Sequence, residues 1–324
     1  MLKFLLKRII LLIPVIFIIS VMLFGMFKLM PGDPVILMLP PDLRSQAERD
    51  FYYNAYREKL GLDKSIPEQY VAWVGNIARL DFGTSITNNR PVREVIARPL
   101  RNSIVLNSFS IVFAFIISIP VGIKSAVKRH SFFDSFWQVF SLVGLSIPVF
   151  FIGLILIYAF AIQLRILPAG GMPRMTDDGS FRYFLEWSRY IVLPVTTLTI
   201  GSLAGTTRYV RNAMIEIIGK DFIRTARSKG LNEKVIIYTH AFRNALIPVV
   251  TLVAGSLVAL FGGSAITESI FAWNGIGRVL IDSLNNRDYM VVLTMNIFYA
   301  VLSLTANLIM DIGYALVDPR VKLN

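Results

Sequence analysis

The stretch RTARSKGLNEKVIIYTHAFRNALIP, Arg224 to Pro248, is charged, helix-like and broken by one glycine. Long apolar runs flank it on both sides. A charged segment kept between runs able to cross a bilayer is a place where something outside the membrane can push. Asp221 is positioned to cap a short helix, Phe222 to Lys229, which Gly230 ends. Asn232 is positioned to cap a second helix, with Glu233 in its first turn, where negative charge is favourable. That helix is expected to run on towards the next apolar run. The predicted product is a helix–glycine–helix elbow over 221–231. Phe222 and Ala226 stand four apart, with Arg224, Arg227 and Lys229 around the rest of the helix. A small residue beside an aromatic one suits docking into a partner's groove. A basic loop that fixes topology and lies on the membrane fits the same residues.

Composition sets the surroundings of this elbow. Of 324 residues, 55% are hydrophobic and 17% charged, against about a quarter charged in soluble domains. Six uncharged runs approach the roughly 20 residues that a helix needs to span the hydrocarbon core. They are Ile9–Phe27, Ser103–Ile123, Ser135–Leu164, Tyr190–Thr207, Asn244–Thr267 and Tyr289–Met310. The third is longer than one span needs and is expected to tilt or re-enter the interface. The first exceeds a typical signal-peptide core and lacks an A-x-A-like cleavage site, so it reads as a retained anchor.

Lys and Arg in short loops set the orientation. Lys3, Lys7, Arg8, Lys124, Lys128, Arg129, the basic residues from Arg208 to Arg243, Arg320 and Lys322 fall on one side. Only Arg165, Arg174, Arg182, Arg189, Arg278 and Arg287 fall on the other, leaving out the long segment after the first run. Both termini are therefore expected in the cytoplasm. The net charge of +12 follows from these loops, without nucleic acid.

Residues 31–102 form a large outer segment. Asp42 is placed to cap a helix running to Leu60, with Lys59 in its last turn and Gly61 as its stop. A second helix is expected near Ser65-Ile66-Pro67. Tyr52, Tyr53, Tyr56, Tyr70 and Trp73 suit a small packed subdomain or the membrane interface. Prolines 120, 148 and 194 sit inside or near the ends of spans, where neighbouring helices must satisfy the freed backbone groups. Gly122, Gly144, Gly153, Gly201, Gly205, Gly255, Gly262 and Gly263 allow helices to approach closely.

Several chemistries lack their residues. No cysteine is present, which excludes thiol chemistry. The two histidines, His130 and His240, are far apart and read as surface or interfacial residues rather than metal ligands. No charge lies inside the six runs, which argues against an ion-coupled secondary transporter. Asp311 and Glu268 stand at run ends, where water is expected to reach them. Asn296 and Asn307 read as helix–helix hydrogen-bonding residues. There is no G-x-x-x-x-G-K-[ST], no H-E-x-x-H and no G-x-S-x-G, so an enzyme reading has no constellation behind it.

R-T-A-R-S-K-G-L, followed by Pro248 in A-L-I-P, resembles the cytoplasmic loop of ABC importer permeases. Arg224-Thr225-Ala226 stands where the general pattern has Glu-Ala-Ala, and the interval from glycine to proline is longer; both departures resemble the di- and oligopeptide branch. Leu29-Met30-Pro31-Gly32-Asp33-Pro34, Gly61-Leu62-Asp63, Asp81-Phe82-Gly83-Thr84-Ser85 and Leu167-Pro168-Ala169-Gly170-Gly171 are similar to that branch. So are Phe261 to Arg278, with Asn274 where proline is common, then Arg287-Asp288-Tyr289 and the tail Tyr314 to Arg320. In order and at these spacings, the chain resembles the B-type permease subunit of a dipeptide/oligopeptide ABC importer.

That resemblance implies an all-α membrane protein: six transmembrane helices in a type I importer bundle, with a helical outer insertion after the first span. It implies a first helix over 1–30, an extracytoplasmic segment over 31–102 and a permease core over 103–313. The core's spans are expected near 103–125, 135–162, 190–210, 245–267 and 289–311, with a cytoplasmic coupling loop at 213–244 and a tail at 314–324. The implied partners are a second related permease subunit, two ATPase subunits and an extracytoplasmic peptide-binding protein. ATP and Mg belong to the ATPases, and no cofactor or metal to this chain. Phe222, Arg224, Thr225, Ala226, Arg227, Lys229, Gly230 and Leu231 are the expected coupling residues. Peptide is expected along the pore-facing sides of the second to fifth spans. A nickel-importer permease of the same branch shares nearly every motif.

Overall fold

Helices account for every regular element among the described residues, as long apolar runs in a bilayer favour, and one isolated bridge pairs Thr84 with Pro91. The structure is a computed structural model. It describes residues 2–317 apart from 30–32, 34, 37–38, 41, 44, 60 and 174–178. Side chains at 2–7, 9, 59, 247–248, 250–251, 254, 257–258 and 310–317 also lie outside the description. Parts of the expected motifs at 29–34 and 314–320, the side chains of Pro248 and Asp311, and the tail beyond 317 therefore fall outside it.

Among the described residues, four helices are long and apolar enough to cross a membrane: Ile10–Leu29, Val92–Val127, Phe181–Ile218 and Tyr289–Ile309. A fifth span is made if Phe132–Ser146 and Val149–Gln163, which meet at 100°, count as one. The break falls at Ile147-Pro148, where the residue before proline is pushed to extended geometry (φ −87°, ψ 124°). The remaining expected span lies on the 21-residue helix Phe242–Gly262. It stops short of Thr267, because Gly263 takes a positive φ of 65° and a separate short helix, Ala265–Ile270, follows. The fourth expected span starts earlier than its apolar run, at Phe181. Ser180 Oγ there accepts the Tyr183 amide at 3.1 Å, so capping carries the helix through Arg182, Glu186 and Arg189.

The chain divides into two units. The first, Met1–Pro99 with Val279–Leu304, contains α1 (Leu2–Leu29), α2 (Gln46–Lys59) and α3 (Ile66–Ala78). Ser45, not Asp42, starts α2: its hydroxyl accepts the Glu48 amide and Glu48 reaches back to its N–H, a reciprocal pair that Asp42 is too far upstream to make. The same device starts α3, where the Glu68 carboxylate accepts both the N–H and the hydroxyl of Ser65. Those two bonds hold the Glu68 carboxyl below the usual carboxylate range. Tyr70 and Trp73 pack against Phe24, and the Tyr70 hydroxyl meets Ser20 Oγ at 2.7 Å. These two aromatics therefore pack onto the first helix. Tyr53 donates to Asp33 at 2.6 Å.

The Asp81–Ser85 motif is held from far along the chain. Asp288 is fully buried and accepts the Ser85 hydroxyl and the Ile86 and Thr87 amides, the last two at 3.2 Å. Both motifs are thus two halves of one lock.

The second unit, Leu100–Arg278 with Thr305–Asn324, holds most of α4 (Val92–Val127), α5 (Phe132–Ser146), α6 (Val149–Leu156), α7 (Phe181–Ile218), α8 (Asp221–Ser228) and α9 (Glu233–Val235). It also holds α10 (Phe242–Gly262) and α11 (Ala265–Ile270). Close helix approach at two of the expected glycines is real: a Cβ on Gly122 or Gly201 would lie 2.8 Å from Val210 or 2.7 Å from Val149. No such close approach is made at Gly205, Gly255 or Gly262, where no atom of the described residues lies within 4 Å.

Glu268 overturns an expectation. It is fully buried and out of water's reach. Its carboxylate accepts Ser103 Oγ at 2.5 Å, the Arg278 amide at 3.0 Å and the Ser264 amide at 3.3 Å. The loop that follows folds over it so tightly that a Cβ on Gly275 would sit 2.3 Å from its carboxyl carbon. Asn296 is a second correction: among the described residues its amide bonds to Val292 O at 2.8 Å, one turn back in its own helix, and not to a neighbouring one.

Candidate functional site

The elbow forms where the sequence places it. The first helix, α8, begins after Lys220, which takes the extended N-cap position, so Asp221 lies in the first turn and does not cap it. Negative charge in that turn still favours the helix. Gly230 then adopts φ +73°. Its N–H bonds to Arg227 O at 2.9 Å and the Leu231 N–H to Ala226 O at 3.4 Å, the paired closure of a Schellman turn. Only glycine takes this left-handed geometry without strain. Asn232 Oδ1 accepts the Lys234 amide at 2.9 Å and opens the second helix, as its residue type predicts. From Glu233 the chain passes through wider π-type turns, Ile236–Ala241, directly into α10.

One face of α8 is nailed down. Ile223 is fully buried and Ala226 is 8% exposed. They join Ile123, Val210, Met214, Ile236, Ile237 and Ala245 in one apolar cluster. The elbow is therefore packed onto the ends of α4, α7 and α10. Ala226 is consequently not beside Phe222 on a docking face: three residues after Ile223, it shares the inward stripe.

The outward face carries Phe222, Arg224, Thr225, Arg227 and Lys229, followed by Gly230 and Leu231. Phe222 and Leu231 are 44% and 42% exposed. Val235 and Tyr238 are also exposed. Sequence reasoning missed this second pair; their three-residue spacing on one helical face was the available signal. Arg227 bridges the bend, with Nη2 2.7 Å from Glu233 Oε1 and Nε 3.2 Å from Oε2. This hydrogen bonding holds the Glu233 carboxyl below the usual range and raises Arg227 further. What results is a stiff, cationic knuckle with apolar tips, fixed to three helix ends.

Family models match both parts of the chain. Residues 118–323 match the model described as binding-protein-dependent transport system inner membrane component. Residues 1–107 match its N-terminal companion. The chain belongs to this family. It is a multi-pass membrane component, and the elbow lies inside the matched region. It is 39% identical to the oligopeptide transport system permease protein AppB of Bacillus subtilis, over 99% of this chain and all of that one. It is 35% identical to the dipeptide transport system permease protein DppB of Alkalihalophilus pseudofirmus, over 99% of this chain and all of that one. Among solved structures, a chain of the MetNI methionine ABC transporter in inward-facing form matches with a TM-score of 0.50 at 20% identity. The match covers 68% of this permease and 96% of that chain. At this identity the likeness shows a shared fold.

Proposed function

We propose that this chain is the permease subunit of an ATP-driven ABC importer that carries di- or oligopeptides across the cytoplasmic membrane. The observation that carries this reading is end-to-end similarity to two peptide permeases at 39% and 35% identity. The partners are a second related permease, two ATPase subunits and an extracytoplasmic peptide-binding protein. ATP and Mg reside in the ATPases. Both termini and the elbow face the cytoplasm.

ATP binding draws the ATPases together, and the knuckle at 221–231 passes that movement to the spans. A nucleotide can drive this only by favouring one arrangement over the other. The packing supports the route, because Ile223 and Ala226 tie α8 to the cluster shared by three helix ends. Phe222, Arg224, Thr225, Arg227, Lys229 and Leu231 meet the ATPase, Gly230 sets the bend, and Ala226 anchors from within.

The test is ATP-dependent uptake of labelled di- and oligopeptides, with Ni²⁺ as comparator, in cells with the chain deleted and restored. Peptide uptake that returns with the chain is the expected result. Return of nickel uptake alone overturns the substrate assignment.

A further inference from the structure

A second site lies away from the elbow, between α4, α5 and α7. It is a cavity of about 300 Å³ lined by Ser125, Gln138, Ser141, Thr207, Arg208 and Arg211, among others. Ser125 is fully buried and Thr207 2% exposed, yet neither hydroxyl has a hydrogen-bond partner among the described residues. Buried polar groups nearly always have a partner, so a pair without one at a cavity wall points to a guest.

The walls select its charge. No carboxylate is among the described lining residues. Arg211 is anchored by buried Asp134, Nε to Oδ1 at 2.6 Å and Nη2 to Oδ2 at 2.8 Å, so its plane is fixed. No carboxylate pairs with Arg208 among the described residues. One uncompensated cation, Arg208, a fixed guanidinium beside it and two unengaged hydroxyls suit an oxyanion, and hydroxyls rotate to meet their acceptor. The rim selects its carrier. Val139 and Leu142 line the same cavity and are 61% and 60% exposed, an apolar flank that a free ion has no use for. Basic pockets between transmembrane helices recognise phosphorylated lipid head groups in this way.

We propose that this cavity binds the phosphate head group of an anionic phospholipid. Arg208 pairs with the phosphate, Ser125 and Thr207 donate to its oxygens, and the acyl chain lies along Val139 and Leu142.

The assembled transporter, in nanodiscs of phosphatidylcholine with increasing phosphatidylglycerol, provides the test, with retained lipid counted by native mass spectrometry. Retention of phosphatidylglycerol over phosphatidylcholine is expected. Arg208→Gln should weaken it at least about fivefold, the order expected for one cation at an anionic surface. Ser125→Ala with Thr207→Val should weaken it with no change of charge, and serves alone if Arg208→Gln fails to assemble. Retention unchanged in these variants overturns the proposal. So does equal retention of the two lipids, or displacement by inorganic phosphate alone, which makes the ligand a free ion. Transport is not read in this assay, so failure of the peptide assignment leaves its outcome unaffected.

Discussion

Arg227 and Glu233 grip each other from opposite sides of the Gly230 bend, through two hydrogen bonds of 2.7 Å and 3.2 Å. The pair joins the end of α8 to the start of the helix that continues into α10. Its side chains are 43% and 55% exposed, so its contribution to global stability is about 0.2–1 kcal/mol. Its role is local stiffness. Glu233→Gln should leave the thermal midpoint of the assembled transporter within a few degrees of wild type and lower peptide-stimulated ATP turnover several-fold. Hydrogen exchange at residues 229–235, which should quicken in the variant, checks the stated cause.

The same pair sets a pH dependence. Arg227 hydrogen bonding depresses the folded-state pKa of Glu233. A depressed carboxylate contributes stability above its unfolded value, near 4.3, and loses it as pH falls through the lower folded value. Elbow protection, meaning exchange relative to the intrinsic amide rate at each pH, should therefore be flat from neutral pH down to about 5 and fall only in more acidic solution. Glu233→Gln should abolish that acid limb.

Phe222 and Ala226 should separate coupling from folding. Phe222 is 44% exposed, whereas Ala226 is 8% exposed within the cluster. Phe222→Ala is expected to change stability by no more than about 0.5 kcal/mol while greatly reducing transport. Ala226→Trp overfills a packed interior and should cost about 1–3 kcal/mol or more. Denaturation midpoints beside uptake rates distinguish the two effects.

Ser103→Ala tests the buried carboxylate. The Ser103 hydroxyl donates to Glu268 and accepts the Ile276 amide at 2.8 Å. Its removal leaves both without that partner, at an expected cost of about 1–3 kcal/mol. Proteolysis between Gly263 and Arg278 should accelerate in the intact membrane protein.

The elbow was legible because its signals are local. Gly230 and Asn232 announce a stop and a start within three residues, and both act as their chemistry predicts. Ala226 was misread because two residues four apart were paired as a face without asking which neighbour faced inward; buried Ile223 decides that. Glu268 was misread for a different reason. Its partner Ser103 lies 165 residues away, and no local pattern reports a contact of that range. Ser85 and Asp288 are separated by 203 residues, so two motifs visible separately gave no sign of being one lock. Helix ends followed short-range hydrogen bonds rather than hydropathy, which is why Ser180 extends α7 through charged residues.

The most direct measurement is ATP hydrolysis by the assembled transporter in proteoliposomes, with and without peptide-loaded binding protein, for wild type and Gly230→Pro. Proline cannot adopt the φ of +73° at this bend. The predicted result is a variant that inserts and assembles, keeps basal hydrolysis and loses stimulation by peptide. Normal stimulation in an assembled Gly230→Pro transporter would contradict the coupling role of the elbow.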